Sequence, residues 1–199
     1  MFALIDGNVI DGRAPFTEAH NGWSEPTIAL RARERIRQFS IHPSDYVFDS
    51  APAGAYNILR RWGVETRAFK AGGRPFVRMI QPKSEPVSAR DRARGIVRPK
   101  PKPVLSAFTF QDLRSQAWYE FADGVKNGEW CILNPTKEMI RDFTAPRYEF
   151  KSEFKIKVSS RDEIIEMTGH SPDYGSAVIM GAFKWPAIMH PNVAPTGGY

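Results

Sequence analysis

The stretch from Tyr46 to Phe69 constrains the fold more than any other part of the chain. Tyr46-Val47-Phe48 is a short run of β-formers ending at Asp49, with the length of a buried strand. Pro52-Ala53-Gly54 follows, and Tyr56 to Trp62 carries helical patterning closed by Gly63. Val64 to Phe69 reads as a second strand. Strand, helix, strand at this spacing predicts a parallel βαβ unit and an α/β class. It also sets Asp49 at the carboxyl end of its strand, where open α/β sheets place ligands.

The rest of the chain fits the same class. Phe2–Ile5 and Asn8–Ile10 flank Asp6-Gly7, which predicts an opening β-hairpin turning at Asp-Gly. Pro26 to Phe39 predicts an amphipathic helix with Ile28, Ala32, Ile36 and Phe39 on one face and four arginines around the remainder. Phe110 to Val125 predicts a helix burying Leu113, Ala117, Trp118 and Phe121, ended by Asn127-Gly128. Lys137 to Phe143 is a short helix. Arg147–Phe150 and Phe154–Val158 alternate like paired antiparallel strands around Lys151-Ser152-Glu153. Arg161 to Met167 is a helix ended by Gly169. Ser171-Pro172-Asp173 then starts a last helix running to Phe183, with Ser as N-cap and Pro at the first position. No internal repeat is present.

With 199 residues the chain has about one domain's length, enough for a core without covalent staples. A single cysteine, Cys131, excludes an internal disulfide and a zinc–cysteine cluster; in Trp130-Cys131-Ile132 it reads as a small core residue. No apolar run reaches the roughly 18 residues of a membrane span, and the N-terminus lacks a signal-peptide pattern. These features predict a soluble, cytoplasmic domain without a membrane partner. The formal charge of +6 points toward a polyanion.

The positive charge concentrates in residues 72–104, a Pro-rich loop carrying Arg74, Arg78, Arg90, Arg92, Arg94, Arg98, Lys100 and Lys102. Two readings suit it: a solvated charge run, or a contact to DNA phosphates that reads no sequence. Lys155 and Lys157 alternate onto one face of the second strand of the hairpin and extend the same set; they equally suit the solvent face of an edge strand. Residues 1–185 form one domain with this loop inserted, and 186–199 a Pro/Gly-rich flexible tail.

A strand-end carboxylate suits a divalent cation, and two such ions can clamp a phosphodiester during in-line hydrolysis if several acids converge. Asp49 is one candidate and Asp173 a second. Each also has a plain structural reading, as a turn residue and a helix-start residue. His170, beside the last helix start, reads as a capping or surface residue before it reads as a ligand. His20, His42 and His190 have no ligand spacing. Trp118 and Tyr119 read as core rather than base-stacking residues.

Three blocks then resemble a family. YVFDSAPAGAYNILRRWG, Tyr46 to Gly63, is similar to the second-acid region of phage terminase large-subunit nuclease domains. FTFQDLRSQAWYEFADGVKNGEWCI, Phe108 to Ile132, is similar to that family's helix with an R-x-Q/E-x-W-[WY] core. Thr144 to Phe183 resembles its strand pair, short helix and S-P-D-x-a-D-A-l segment. The resemblance spans nearly the whole chain to Phe183. It implies an RNase H-like mixed sheet flanked by helices, with a C-terminal β-hairpin and helix. It implies an endonuclease dependent on Mg²⁺ or Mn²⁺ that cuts concatemeric double-stranded DNA in the host cytoplasm during virion assembly. The partners implied are the terminase ATPase portion, a small subunit and the portal.

The departures are as informative. No Walker A motif is present, so the chain is not a packaging ATPase by itself. The family's first acid lies on a strand before the hairpin, and because the hairpin is expected at the start of these residues, no such strand is expected here. Asp6 and Asp11 are weaker substitutes. The third acid precedes Ala in the family, and Ser176 occupies that place, with Asp173 one turn earlier. The expected metal residues are Asp49, Asp173 and Ser176, with Asp49 and Asp173 catalytic. The alternative is a catalytically impaired DNA-binding or docking domain of a split or degenerate terminase. Another RNase H-like nuclease, such as a junction resolvase, is disfavoured by the S-P-D block and the R-S-Q-A-W helix.

Overall fold

The computed structural model describes residues 5–6, 9–11, 22–49, 54–80, 93–94, 104–151 and 155–185. Strands β1 (Ile5–Asp6) and β2 (Val9–Asp11) pair antiparallel, Ile5 with Ile10 and Asp6 with Val9. Asp6 is therefore a paired strand residue and not a turn residue as expected from sequence, and Gly7 lies outside the described residues. β2 also pairs in parallel with β7 (Cys131–Leu133), giving the order β1-β2-β7. β3 (Val47–Asp49) pairs in parallel with β4 (Arg67–Phe69), and α2 (Gly54–Arg61) crosses between them. The βαβ unit is as the sequence predicts, although β3 is only partly buried.

Helix α1 (Glu25–Gln38) begins at Ser24, whose hydroxyl accepts from the Thr27 N–H. Its buried face is Ala29, Ala32 and Ile36. Ala29 rather than Ile28 leads that stripe, because α2 approaches closely with Ala55 and Leu59. These small residues form a core of their own, apart from the main one.

The basic segment is anchored at both ends. β5 (Met79–Ile80) pairs antiparallel with β6 (Val104–Leu105), followed by a one-turn helix α3 (Ser106–Thr109). Helix α4 (Leu113–Lys126) buries Leu113, Ala117, Trp118 and Phe121, the predicted face. Tyr119, expected inside, is partly exposed between the rings of Phe110 and Tyr148. Cys131 is also exposed, because its strand shows Cys131 and Leu133 outward.

α5 (Lys137–Thr144) leads to the hairpin β8 (Tyr148–Phe150) and β9 (Ile156–Val158). β9 docks on α4, where the Ser115 hydroxyl accepts from the Val158 N–H at 3.0 Å. α6 (Arg161–Thr168) has a full capping box between Ser160 and Glu163 and ends at Gly169, whose φ of 68° is the left-handed value glycine tolerates. α7 (Asp173–Ala182) packs Val178 and Ile179 into the main core with Phe69, Trp118 and Phe121. None of the described helices is long and apolar enough to cross a membrane. The predicted tail 186–199, with His190, and His20 lie outside the described residues.

Candidate functional site

Asp49 ends β3 opposite Phe69, the last residue of β4, and its side chain is exposed. The start of α4 closes on this end of the strand pair. The Leu113 and Arg114 N–H groups donate to the carbonyls of Gly73 and Ala71, at 2.8 and 3.0 Å. Those acceptors lie just beyond β4, so helix α4 carries Arg114 to the strand end. Its Nε donates to the Ser159 carbonyl at 3.1 Å, and its guanidinium lies over the Trp118 ring. Burial lowers the Arg114 pKa from its ordinary value, while Asp112, Asp49 and Glu163 pull it back; Arg161 pushes the same way as burial. Acids from β3 and α6 thus meet arginines from α4 and α6 within Coulombic reach.

Asp173 stands at the first position of α7. Its Oδ1 accepts from the Ser171 hydroxyl at 2.5 Å, and Arg161 Nε lies 3.9 Å away. Arg161 Nε donates to the Ser171 oxygen at 2.8 Å. Ser176 is one turn along, partly buried, with its N–H on the Pro172 carbonyl. α7 packs against β3, which puts the last helix and the strand of Asp49 on neighbouring elements.

The predicted cap of this helix is not the observed one. Pro172 is the N-cap and makes no side-chain bond. Asp142 of α5 supplies the cap instead. Its side chain is fully buried, and Oδ2 accepts from the N–H groups of Tyr174 and Gly175 at 2.9 and 3.1 Å. Oδ1 accepts from His170 Nε2 at 2.6 Å. A carboxylate at a helix N-terminus satisfies orphan donors and meets the positive end of the dipole. Sequence reasoning missed Asp142; the available signal was its i+3 spacing from the buried Met139, a charge on an apolar face.

The basic residues fall into different settings. Arg74 and Arg94 are exposed. Arg78 is engaged inside the protein: Nη1 pairs with Glu120 at 2.8 Å, Nη2 donates to the Lys184 carbonyl, and the guanidinium sits 4.5 Å from the Phe183 ring centroid. Burial holds the Glu120 carboxyl above its ordinary range, against the pull of Gln116 and Arg78. Lys157 pairs with Glu163 at 2.8 Å and approaches Glu149 at 3.7 Å. Lys155 and Lys157 lie outward of the buried Ile156 and Val158, as alternation predicts. Arg90, Arg92, Arg98, Lys100 and Lys102 lie outside the described residues.

Comparison with solved structures decides what this arrangement belongs to. The nuclease domain of the large terminase subunit gp2 of bacterial virus Sf6 superposes with a TM-score of 0.58 at 18% identity, covering 93% of this chain and 81% of that one. This chain has the terminase nuclease fold. A lysine-to-alanine variant of the same Sf6 domain with manganese gives 0.56 at 17% identity, covering 91% of this chain and 81% of that one. The variant with calcium gives 0.57 at 17%, covering 91% and 80%. No protein-family model and no curated protein matches the chain.

A terminase nuclease fold implies a divalent-metal centre, and the donor set here tests that. Among the described residues no three His, Cys, Asp or Glu side chains converge for an ion. Asp49 lies in the field of Arg114, and Asp173 is bonded by Ser171 beside Arg161. Ser176 offers a neutral hydroxyl. Two close divalent ions need several anionic ligands, so these residues do not fit such a centre by themselves.

Proposed function

We propose that this chain is the nuclease-fold domain of a viral DNA-packaging terminase and that its substrate is double-stranded DNA. The observation that carries the reading is the terminase nuclease fold over 93% of the chain, with Asp49 at the carboxyl end of the parallel β3–β4 pair. The exposed cations Arg74 and Arg94 and the lysine face of β9 suit phosphate contact, as do the further basic residues of the loop. The packaging ATPase portion, a small subunit and the portal are the partners this role entails.

Two chemistries are open to such a domain. One is endonucleolytic hydrolysis with Mg²⁺ or Mn²⁺, in which Asp49 and Asp173 need carboxylates beyond the described ones. The other is a catalytically impaired domain that holds DNA for its partners. The donor set favours the second for the chain acting alone, because Arg161 lies 3.9 Å from Asp173, Arg114 is within electrostatic reach of Asp49, and a neutral Ser176 stands where the resemblance expects a carboxylate. The test is incubation of the purified chain with supercoiled plasmid and Mn²⁺ or Mg²⁺, next to Asp49→Ala. Salt-sensitive DNA binding without nicking is the expected result. Metal-dependent nicking that Asp49→Ala abolishes would establish the first chemistry instead. Absence of any DNA binding would sink the role itself.

A further inference from the structure

Helices α1 and α2 carry six arginines against Glu25 and Glu34. The two helices meet through Ala29, Ala32, Ala55 and Leu59, three of them alanines that let the backbones approach. Arg33 of α1 thereby reaches Trp62, just past the end of α2 that carries Arg60 and Arg61. Arg33 lies over the Trp62 ring, 4.9 Å from its centroid, and Arg60 lies 6.0 Å from that of Tyr56. Arg37 continues from Arg33 one turn along α1, and Arg61 adjoins Trp62.

The local acids are committed elsewhere. Glu34 pairs with Arg31 at 2.9 Å, and the Glu25 carboxylate packs onto Gly54 at the start of α2. Among the described residues no acid pairs with Arg33, Arg37, Arg60 or Arg61. Arginine stacked on an aromatic ring has lost part of its rotamer freedom before any ligand arrives. Its planar N–H fork also matches phosphate oxygens in pairs. The residue choice matters, since a merely solvated helix face is served as well by lysine.

We infer that the α1–α2 face, through Arg33, Arg37, Arg60 and Arg61, binds the phosphate backbone of duplex DNA. The inference rests on the proposed DNA role and adds a surface that the basic loop and the hairpin lysines do not include. Charge complementarity selects the occupant: the face is strongly positive, and DNA presents one phosphate charge per about 1.7 Å of duplex axis. The four arginines gather toward the C-terminal ends of α1 and α2, at the other end of α2 from Gly54, so this surface is separate from the strand end that carries Asp49.

The experiment is fluorescence anisotropy of the full chain with a labelled 30-bp duplex of arbitrary sequence, titrated across KCl concentrations. Three proteins are compared: wild type; Arg33→Ala/Arg37→Ala/Arg60→Ala/Arg61→Ala; and Lys70→Ala/Lys126→Ala/Lys137→Ala/Arg141→Ala, which removes the same charge elsewhere. The face variant is expected to lose at least about tenfold in affinity, with a log K against log [KCl] slope shallower by roughly 3.6, near 0.9 per lost phosphate contact. The control is expected to stay within about twofold of wild type, as fits charges away from the contact. The doubles Arg33→Ala/Arg37→Ala and Arg60→Ala/Arg61→Ala, each giving about half the slope change, keep the test valid if the quadruple fails to fold by circular dichroism. Equal losses in face and control variants overturn the inference, as does a face variant that binds like wild type. Either result leaves the proposed function standing; a wild-type chain that binds no duplex at any salt overturns both.

Discussion

Asp142 holds three groups with one buried carboxylate: two backbone N–H groups of α7 and the His170 imidazole. Removing it strands all three. Asp142→Ala is expected to destabilise the protein by roughly 3 kcal/mol, read as a lower denaturant midpoint with an unchanged slope. Glu163 shows the opposite, exposed case. The Lys157 ammonium and the Ser160 N–H lower its carboxyl from 4.5 to about 2. A depressed carboxylate adds stability that is full above its unfolded value and is lost as pH falls from about 4.5 toward about 2. Carboxyl NMR titration of Glu163 should give a midpoint near 2, and Lys157→Ala should return it toward the ordinary glutamate range. Lys157 itself is pushed up by the same pairing.

Between elements, α7 approaches α4 and α5 closely at Gly175. A Cβ there would stand 2.7 Å from Trp118 Cη2 and 3.1 Å from Asp142 Cβ. Gly175→Ala is therefore expected to push α7 outward and cost about 1 to 3 kcal/mol, measured by thermal unfolding. The helices were legible in sequence because apolar periodicity and caps are local: α1, α4, α5 and α6 begin and end within two or three residues of their expected bounds. The βαβ unit was legible for the same reason. What sequence missed was set at a distance. The Asp142 cap reaches α7 from another helix, and Cys131 faces outward because its strand is incompletely covered. Arg78 looked like a free cation of the basic loop until its pairing with Glu120, 42 positions away, was seen. Asp49 was read correctly as a strand-end residue, yet no local pattern announces that Arg114 shares its surroundings.

At the scale of the whole molecule, Asp49 ends the β3–β4 pair within electrostatic reach of Arg114 of α4, and the arginine-bearing α1–α2 pair packs as a separate cluster. For the proposed function, the plasmid and anisotropy experiments separate holding DNA from hydrolysing it. The helix pair also has its own small hydrophobic nucleus, separate from the one under α4 and α7. Sub-global opening follows such divisions, so amides of α1 and α2 are expected to exchange with deuterium sooner than those of α4 and α7. Mass-spectrometric exchange of peptic fragments measures this directly. Warming would then release the arginine-bearing pair while the rest stays folded. On the inferred DNA role, the polyanion would then be released below the melting temperature of the rest of the chain, a thermal clutch set by how Ala29, Ala32, Ala55 and Leu59 pack between two helices.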